Sequence, residues 1–374
     1  MTQAFLDQVA GFAADHVFTS ASEWSMGASP GASVYKMAGR LGILGMTIPQ
    51  GFGGLGMGFS TRAAACSILA GADFGFAMSL INTHNVALRL SQSASDTIAR
   101  RYIPALLSGE MSGCTALTEP STGSDFAAVT TTATSTDTGW VLNGEKTWII
   151  NGRHAGLSIV YAQCKSLGDG SGIGAFLVNL STHGVTQHAI DAGFAQTSMG
   201  TGRFVLNDVA VERDALLIAP GKAFKAVLTE INGARTYVAA MCNGMMRRAI
   251  GDVIAYGTHR HSFGKPLNTI PSWQDDLSSA KAALRVSEGL TAQATVLLDT
   301  GLDAQLAAAQ AKVSAVTCAQ SHLPALLHLM GAEGLRPEHP FARHIAASQI
   351  AGFTDGATNI LKDRVARLTT NKET

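Results

Sequence analysis

Apolar residues at helical spacing dominate the first hundred residues of the chain. An amphipathic helix places apolar residues three or four positions apart, and five segments follow that pattern. The segments are residues 2–17, 34–44, 60–72, 83–91 and 95–107. Glycine-rich stretches, which are typical of loops, separate several of them. We therefore predict an all-helical unit over residues 1–113.

The pattern changes between residues 114 and 217, where short β-branched and aromatic runs alternate with turn residues. The runs that predict strands are residues 140–148, 157–163, 174–180 and 204–211. Asn143 and Gly144 favour the two positive φ angles of a type I′ hairpin turn. The threonine cluster at 130–138 is interpreted as a polar strand edge or a loop. A small β barrel or sandwich is predicted over residues 114–220.

Long helical patterns return after Pro220 and Gly221. They cover residues 222–257, 271–299, 303–330 and 340–369, with short links between them. Four long helices joined in this way predict a four-helix bundle over residues 221–374. The predicted fold class is therefore α+β, with a helical N-terminal domain, a middle β domain and a C-terminal bundle.

Composition limits the classes of partner. The 374 residues exceed what one compact core normally holds, so two or three units are expected. Lys+Arg and Asp+Glu both number 27, which leaves no net field to attract nucleic acid. Charged residues make up 14% of the chain, against an ordinary usage of about 25%. This shortage of charge favours extensive contacts between subunits.

The chain lacks the sequence features of export and membrane insertion. No apolar run reaches the 18 or more residues of a membrane span. The first 35 residues contain no Lys or Arg, and Asp7 and Asp15 interrupt their apolar pattern, which argues against a secretory signal or a mitochondrial presequence. The five cysteines form no CxxC pair, and their odd number favours reduced thiols. We expect a cytoplasmic protein.

Residues 51–56 read Gly-Phe-Gly-Gly-Leu-Gly and satisfy the GxGxxG pattern of dinucleotide-binding folds. That interpretation requires strands alternating with helices in a parallel sheet, whereas the residues that follow predict helices. The segment is therefore interpreted as a glycine-rich loop between helices.

Five motifs, taken in order, carry a resemblance to a known family. They are residues 48–56, 117–120 (Leu-Thr-Glu-Pro), 123–125 (Gly-Ser-Asp), 143–148 (Asn-Gly-Glu-Lys-Thr-Trp) and 260–266 (Arg-His-Ser-Phe-Gly-Lys-Pro). Their order and spacing resemble the acyl-CoA dehydrogenase family over nearly the whole chain. The resemblance implies an FAD-dependent flavoenzyme with the three-part architecture described above.

The resemblance also implies a set of FAD contacts. They are Leu117, Thr118, Gly123, Ser124, Trp148, Ile150, Arg260, Ser262, Phe263, His328 and Gly331. Hydroxyl and backbone N–H groups suit the polar edge of a flavin, an indole suits its flat face, and a guanidinium suits a pyrophosphate. In this family the segment at 260–263 reaches FAD held mainly by another subunit. Ile150 and Pro271 depart from the family pattern, where Thr or Ser and Gln are common.

Asp355 is the predicted catalytic base, at the position of the family's glutamate. In the family this carboxylate removes the α-proton of an acyl thioester while the β-hydrogen leaves as hydride to flavin N5. Such a base needs a pKa raised by a desolvated pocket. Ser124, Arg235, Thr354 and Gly356 are the implied substrate contacts. The predicted partners are a CoA or carrier-protein thioester, an electron-transfer flavoprotein or another acceptor, and further copies of this chain in a dimer or tetramer.

Two other functions fit the same residues. Nitroalkane oxidases resemble this family and carry Asp at the base position, although they place Arg where this chain has Lys362. An inactive flavin-binding partner subunit is the other, motivated by Ala346 and Ala347 in place of an Arg-Asp pair. No metal site is predicted, because His259 with His261 and His322 with His328 lack a third ligand at zinc spacing.

Overall fold

A computed structural model describes residues 2–165, 171–190 and 197–370 of the chain. The predicted end units also include residues 1 and 371–374, which lie outside the described residues. The architecture is the predicted α+β arrangement of helices, then a sheet, then helices. The fold-class prediction is confirmed. The limits of the three units at residues 113 and 220 stay a prediction.

Six α-helices form the first part. They are α1 (Thr2–Phe12), α2 (Thr19–Ser25), α3 (Ala32–Arg40), α4 (Phe59–Ala72), α5 (Phe74–Ser93) and α6 (Asp96–Leu107). A π-helical stretch joins α1 to α2, so the predicted helix at 2–17 continues further than expected. Asp73 caps α5 by accepting a hydrogen bond from the Phe76 N–H at 2.7 Å. With this cap, α5 starts nine residues before the predicted helix at 83–91. The helical spacing did not indicate these first turns, because buried residues lie on all of their sides.

The middle part is a single eight-stranded sheet. Its strands are β1 (Gly113–Ala116), β2 (Thr132–Ser135), β3 (Gly139–Ile149), β4 (Leu157–Lys165), β5 (Gly172–Asn179), β6 (Val185–Ala189), β7 (Gly202–Glu212) and β8 (Leu216–Ile218). The strand order is β6-β7-β3-β2-β4-β5-β8, and β1 pairs with β4 in parallel. The threonine-rich β2 pairs with both β3 and β4, so it is an internal strand and not an edge.

The predicted hairpin at Asn143 and Gly144 is wrong, because both residues lie inside the continuous strand β3. The register between β3 and β7 shifts between Leu142 and Gly144, which marks a β-bulge. Gly144 has φ 150°, and a Cβ there would lie 2.5 Å from the Thr131 Oγ1. The glycine therefore serves a bulge and a close contact, which the sequence pattern did not distinguish from a turn.

The last part contains five α-helices and a small hairpin. The helices are α7 (Ala223–His259), α8 (Pro271–Asp299), α9 (Gln305–Met330), α10 (Phe341–Phe353) and α11 (Thr358–Thr370), and the hairpin pairs β9 (His261–Ser262) with β10 (Lys265–Pro266). The predicted fourth helix at 340–369 is therefore two helices. It breaks because Asp355 and Gly356 both have positive φ angles, 53° and 103°.

Helices α4 and α7 approach closely enough to join the first and last parts in one hydrophobic core. A Cβ on Gly244 of α7 would lie 1.9 Å from the carbonyl oxygen of Ser67 on α4. Only a glycine fits this contact, since no side-chain movement can relieve a clash with backbone. The contact places the residues on the facing sides of α4 and α7 next to one another.

We expect Gly244→Ala to destabilise the protein by at least about 2 kcal/mol, because the two helices must separate to admit a methyl group. The measurement is the free energy of unfolding in denaturant. Gly251→Ala is the matched control, since the same helix leaves its Cβ position free of neighbours within 4 Å. Alanine there is expected to be neutral or stabilising by about 0.5–1 kcal/mol. Equal effects of the two changes would contradict this account of the contact.

Candidate functional site

A cavity of about 1150 Å³ lies where the three parts of the chain meet. Single small-molecule sites typically occupy about 300–1,000 Å³, so this cavity has room for a cofactor and part of a substrate together. Helices α4 and α5, the loop after β1, the end of β3, helix α7 and the α10–α11 turn all contribute to its wall.

The structure brings most of the predicted site residues together in this cavity. Those that line it are Leu117, Thr118, Gly123, Ser124, Trp148, Ile150, Arg235, Thr354, Asp355 and Gly356. Five others lie outside it: Arg260, Ser262, Phe263, His328 and Gly331. The functional role of each residue stays a prediction.

Asp355 lies on the turn between α10 and α11, and cations hold the backbone of this turn. The Arg235 Nε donates to the Asp355 carbonyl oxygen at 3.4 Å, and the Lys312 Nζ donates to the Gly356 carbonyl oxygen. Lys312 is fully buried. A positive φ angle is unfavourable for a non-glycine residue such as Asp355. The two hydrogen bonds help to stabilise the turn in this conformation.

The Asp355 carboxyl is poised to take up a proton. Its Oδ2 atom is buried and has no hydrogen-bond partner among the described residues. Burial raises the pKa of Asp355, and the positive charges of Lys312, Arg235 and Arg62 oppose part of that increase. A buried carboxylate without hydrogen bonds is a stronger base than an exposed one. This is the property that proton abstraction from carbon requires.

Sequence reasoning missed Lys312. Burial lowers the pKa of Lys312 to about 8, and the charge of Asp355 raises it in part. One signal could have found this residue, because Lys312 interrupts an alanine-rich apolar run at 307–319 in α9. A lysine on the buried face of a helix is rare unless it has a partner.

A second buried ion pair fixes the loop that carries Leu117 and Thr118. The Lys146 Nζ lies 2.8 Å from the Glu119 Oε1 and donates to the Leu117 carbonyl oxygen at 3.1 Å. Glu119 also accepts from the Thr130 N–H at 2.6 Å and the Thr131 N–H at 2.9 Å. These bonds lower the pKa of Glu119 to about 2, although burial opposes them. The buried Glu119–Lys146 ion pair therefore fixes the backbone of the loop that carries Leu117 and Thr118.

Trp148 closes one side of the cavity at the end of β3. Its side chain is 58% exposed and its φ angle is 57°, so the backbone turns to present the indole to the cavity. Buried Asn151 anchors this turn, since its Nδ2 donates to the Ser79 carbonyl oxygen at 2.8 Å and to the Gly113 carbonyl oxygen at 2.9 Å. Asn151 was not among the predicted site residues. A half-exposed indole beside the hydroxyls of Thr118 and Ser124 fits one face and the polar edge of a flavin.

The segment with Arg260, Ser262 and Phe263 forms the exposed β9–β10 hairpin. Phe263 is 93% exposed and has φ 51°. His328 and Gly331 lie exposed at the carboxyl end of α9. None of the five touches the cavity of its own chain, which is the arrangement that contacts to a neighbouring copy would require.

Two further observations concern the whole described chain. Within residues 2–165, 171–190 and 197–370, no group of three or more His, Cys, Asp or Glu residues could hold a metal ion. Over the same residues, no helix is both long enough and apolar enough to cross a membrane.

Comparisons with known proteins agree with this geometry. Three family models match: acyl-CoA dehydrogenase N-terminal domain over residues 1–110, middle domain over 114–209 and C-terminal domain over 221–369. The human mitochondrial short-chain specific acyl-CoA dehydrogenase is 30% identical over 333 residues, which are 88% of this chain and 80% of that protein.

Solved structures show the same similarity. Butyryl-CoA dehydrogenase from Megasphaera elsdenii superposes with a TM-score of 0.92 at 28% identity, covering 99% of this chain and 98% of that one. A glutaryl-CoA dehydrogenase from Mycobacterium smegmatis in complex with FADH2 superposes with a TM-score of 0.92 at 25% identity, covering 99% and 94%.

We expect the Glu119–Lys146 pair to support both stability and the shape of the loop. Glu119→Gln leaves Lys146 as an uncompensated buried charge, and such losses cost about 3–5 kcal/mol. The measurement is the free energy of unfolding as a function of pH. Because the folded-state pKa of Glu119 is about 2, against an ordinary 4.5, its contribution is present above pH 4.5 and is lost as pH falls toward 2.

Acid should therefore destabilise the wild type more steeply than Glu119→Gln over that interval. Glu145→Gln is the control, since Glu145, which precedes Lys146 on β3, makes a half-exposed pair with Arg203 on the neighbouring strand β7. Exposed pairs contribute about 0–1 kcal/mol. If both variants lose stability equally, the buried pair has no special role.

Proposed function

Because this chain belongs to the acyl-CoA dehydrogenase family, we propose that it is an FAD-dependent acyl thioester dehydrogenase that forms an α,β-double bond. The single observation that carries this proposal is Asp355, a half-buried residue whose buried Oδ2 has no hydrogen-bond partner among the described residues, in the cavity that Trp148 and the 117–124 loop also line. The proposed base thus shares one cavity with Trp148 and the 117–124 loop, which together we call the flavin platform.

The chain would hold FAD with residues of the sheet region. Leu117, Thr118, Gly123, Ser124, Trp148 and Ile150 would contact its ring and phosphates. When bound, FAD supplies the acceptor for the β-hydrogen and its electron pair. The Ile150 side chain offers no hydrogen bond, so only its backbone N–H can serve the polar edge of the ring.

Asp355 would accept the α-proton. The carboxylate must be ionised before the substrate loses this proton, and Lys312, Arg235 and Arg62 supply the positive charge that favours ionisation within a buried site. Thr354 and Gly356 border the carboxyl on the same turn, and Ser124 and Arg235 complete the set proposed to contact the thioester. The cations therefore favour the ionised carboxylate, against the effect of burial, which raises the pKa of Asp355.

We further propose that the protein is a homo-oligomer, a dimer or a tetramer. Arg260, Ser262, Phe263, His328 and Gly331 would complete the FAD site of a neighbouring copy. Exposed apolar side chains support this, because Phe263 is 93% exposed, and Val286 and Val296 on α8 are 64% and 61% exposed. An obligate interface would cover such side chains.

The thioester carrier proposed is CoA, since the relatives are named for CoA esters. An electron-transfer flavoprotein or a similar acceptor would then reoxidise the flavin. A cytoplasmic location is proposed from the five cysteines, which are all free thiols in buried positions.

The decisive experiment is anaerobic mixing of purified, FAD-loaded protein with a panel of CoA and carrier-protein thioesters. We expect the visible flavin band to bleach with at least one CoA ester, since Asp355 and the flavin platform share one cavity. Rapid peroxide release under air with a nitroalkane, and no bleaching by any thioester, would replace this proposal with an oxidase. A colourless protein that stays colourless after incubation with FAD would overturn the flavoenzyme assignment itself.

We expect Asp355→Asn to lower the rate of flavin bleaching by about 10²–10⁴-fold, the usual contribution of a general base, without loss of bound FAD. Because the pKa of Asp355 lies above its ordinary 3.8, the wild-type rate should fall as pH decreases through that raised pKa and level off above it. Asp363→Asn is the control, an exposed carboxyl on α11 outside the cavity. Full activity in Asp355→Asn would remove Asp355 as the base.

A further inference from the structure

One cation of the cavity wall acts on Asp355 only through its charge, and its N–H groups have no role in the proposed reaction. Arg62, on α4, is 7% exposed and lines the cavity. Its guanidinium lies over two rings, with the Cζ 5.0 Å from the centroid of Tyr237 and 5.5 Å from that of Phe59. Stacking of this kind orients a guanidinium but does not satisfy its N–H groups.

The hydrogen-bonding capacity of Arg62 is largely unused. Its Nη2 donates to the Asn85 Oδ1, and its buried Nε has no partner among the described residues. No carboxylate of those residues lies within salt-bridge distance of it. Burial lowers the pKa of Arg62, while the charge of Asp355 raises it in part. A desolvated cation of this kind is costly unless an anion or a strong acceptor reaches it.

The cavity as a whole is positively charged. Its wall carries five arginines against two carboxyl groups, an excess of three positive charges. The arginines are Arg62, Arg89, Arg235, Arg364 and Arg367. Arg89 pairs with Glu230, and Arg235 is engaged with the Asp355 turn. Arg62 is the most deeply buried of those left, so it faces the part of a ligand that has left water entirely.

Two asparagines of α5 share the cavity wall with Arg62. Asn85 lines the cavity and donates from its Nδ2 to the Tyr237 hydroxyl at 3.3 Å, and buried Asn82 lies on the same wall of α5. Both asparagines already have partners within the protein, whereas a purely aliphatic acyl group would leave the buried Arg62 Nε without one. An acyl group that ends in an acceptor would satisfy that N–H group.

We propose that Arg62 is a specificity residue that binds a carboxylate at the far end of the acyl group, so that the preferred substrates are thioesters of short dicarboxylic acids. A planar guanidinium with free N–H groups matches a carboxylate by paired hydrogen bonds. Arg62 and Asp355 line the same cavity. This inference rests on the proposed acyl thioester dehydrogenase activity and adds the substrate class.

The test compares glutaryl-CoA with pentanoyl-CoA, which differ chiefly in the terminal carboxylate. Dissociation constants are measured by titration calorimetry in the Asp355→Asn background, where turnover does not interfere. The value of kcat/KM is measured in protein that retains the native Asp355. We expect tighter binding and faster turnover with glutaryl-CoA. Arg62→Met should lower the glutaryl-to-pentanoyl preference about 10- to 100-fold in both measurements, as expected for loss of a charged hydrogen bond. Arg62→Lys, which keeps the charge without the fork, should restore part of it.

Arg343→Met is the matched control. Arg343 is also 7% exposed, stacks on Phe18 and has buried N–H groups without partners, but it lies outside the cavity. Its substitution should leave the preference ratio unchanged.

The outcomes separate the two proposals. If pentanoyl-CoA bleaches the flavin but glutaryl-CoA is not preferred, or if Arg62→Met leaves the ratio unchanged and only moves the pH profile of Asp355, the substrate-class inference is wrong while the dehydrogenase proposal stands. If no CoA ester bleaches the flavin and neither ester binds, both fail. A preference that collapses in Arg62→Met and not in Arg343→Met supports the inference.

Discussion

The contact between α4 and α7 is the constraint on which the cavity depends. At Gly244 of α7 the two helices come so close that no side chain fits against the Ser67 carbonyl of α4. Helices normally pack with axes about 8–10 Å apart, and small residues at the contact allow the lower end of that range. The same contact aligns Arg62 on α4 with Tyr237 and Arg235 on α7. A stability feature in the sequence thereby places residues of the cavity wall that we propose to face the substrate.

Charge is used in two different ways in this molecule. Beneath the 117–124 loop, Glu119 and Lys146 neutralise one another and leave nothing for a ligand, so their function is to hold backbone. Around Asp355 the positive charges outnumber the negative ones, and part of their hydrogen-bonding capacity stays open. Buried charges are costly, so an unbalanced set marks a place where a ligand completes the balance. The two charges beneath the 117–124 loop are therefore paired with each other, whereas the buried Arg62 Nε on the cavity wall is left for a ligand.

The fold and much of the site could be predicted because periodicity and motif spacing are local properties of the chain. The order of helices, strands and helices follows from periods of 3.6 and 2. The Asn143–Gly144 hairpin failed because a bulge and a turn use the same residue types, and only the pairing of β3 with β7 distinguishes them. The break at residues 354–357 was absent from the pattern, because the apolar spacing runs through it and long-range cations from α7 and α9 stabilise it. Arg62, Lys312 and Asn151 were missed for a related reason, since their partners lie far away in sequence.

The short side chain at position 355 is consistent with the rigid turn that carries it. A glutamate positions its carboxylate through three rotatable bonds, whereas an aspartate uses two and loses less entropy when it is fixed. The position of an aspartate carboxylate then depends mainly on the backbone. In this protein the backbone is fixed on both sides, by Arg235 at the Asp355 carbonyl and by Lys312 at the Gly356 carbonyl. The reach lost with one methylene must therefore be supplied by the turn or by the substrate. A substrate anchored at its far end by Arg62 would hold its α-carbon against such a base.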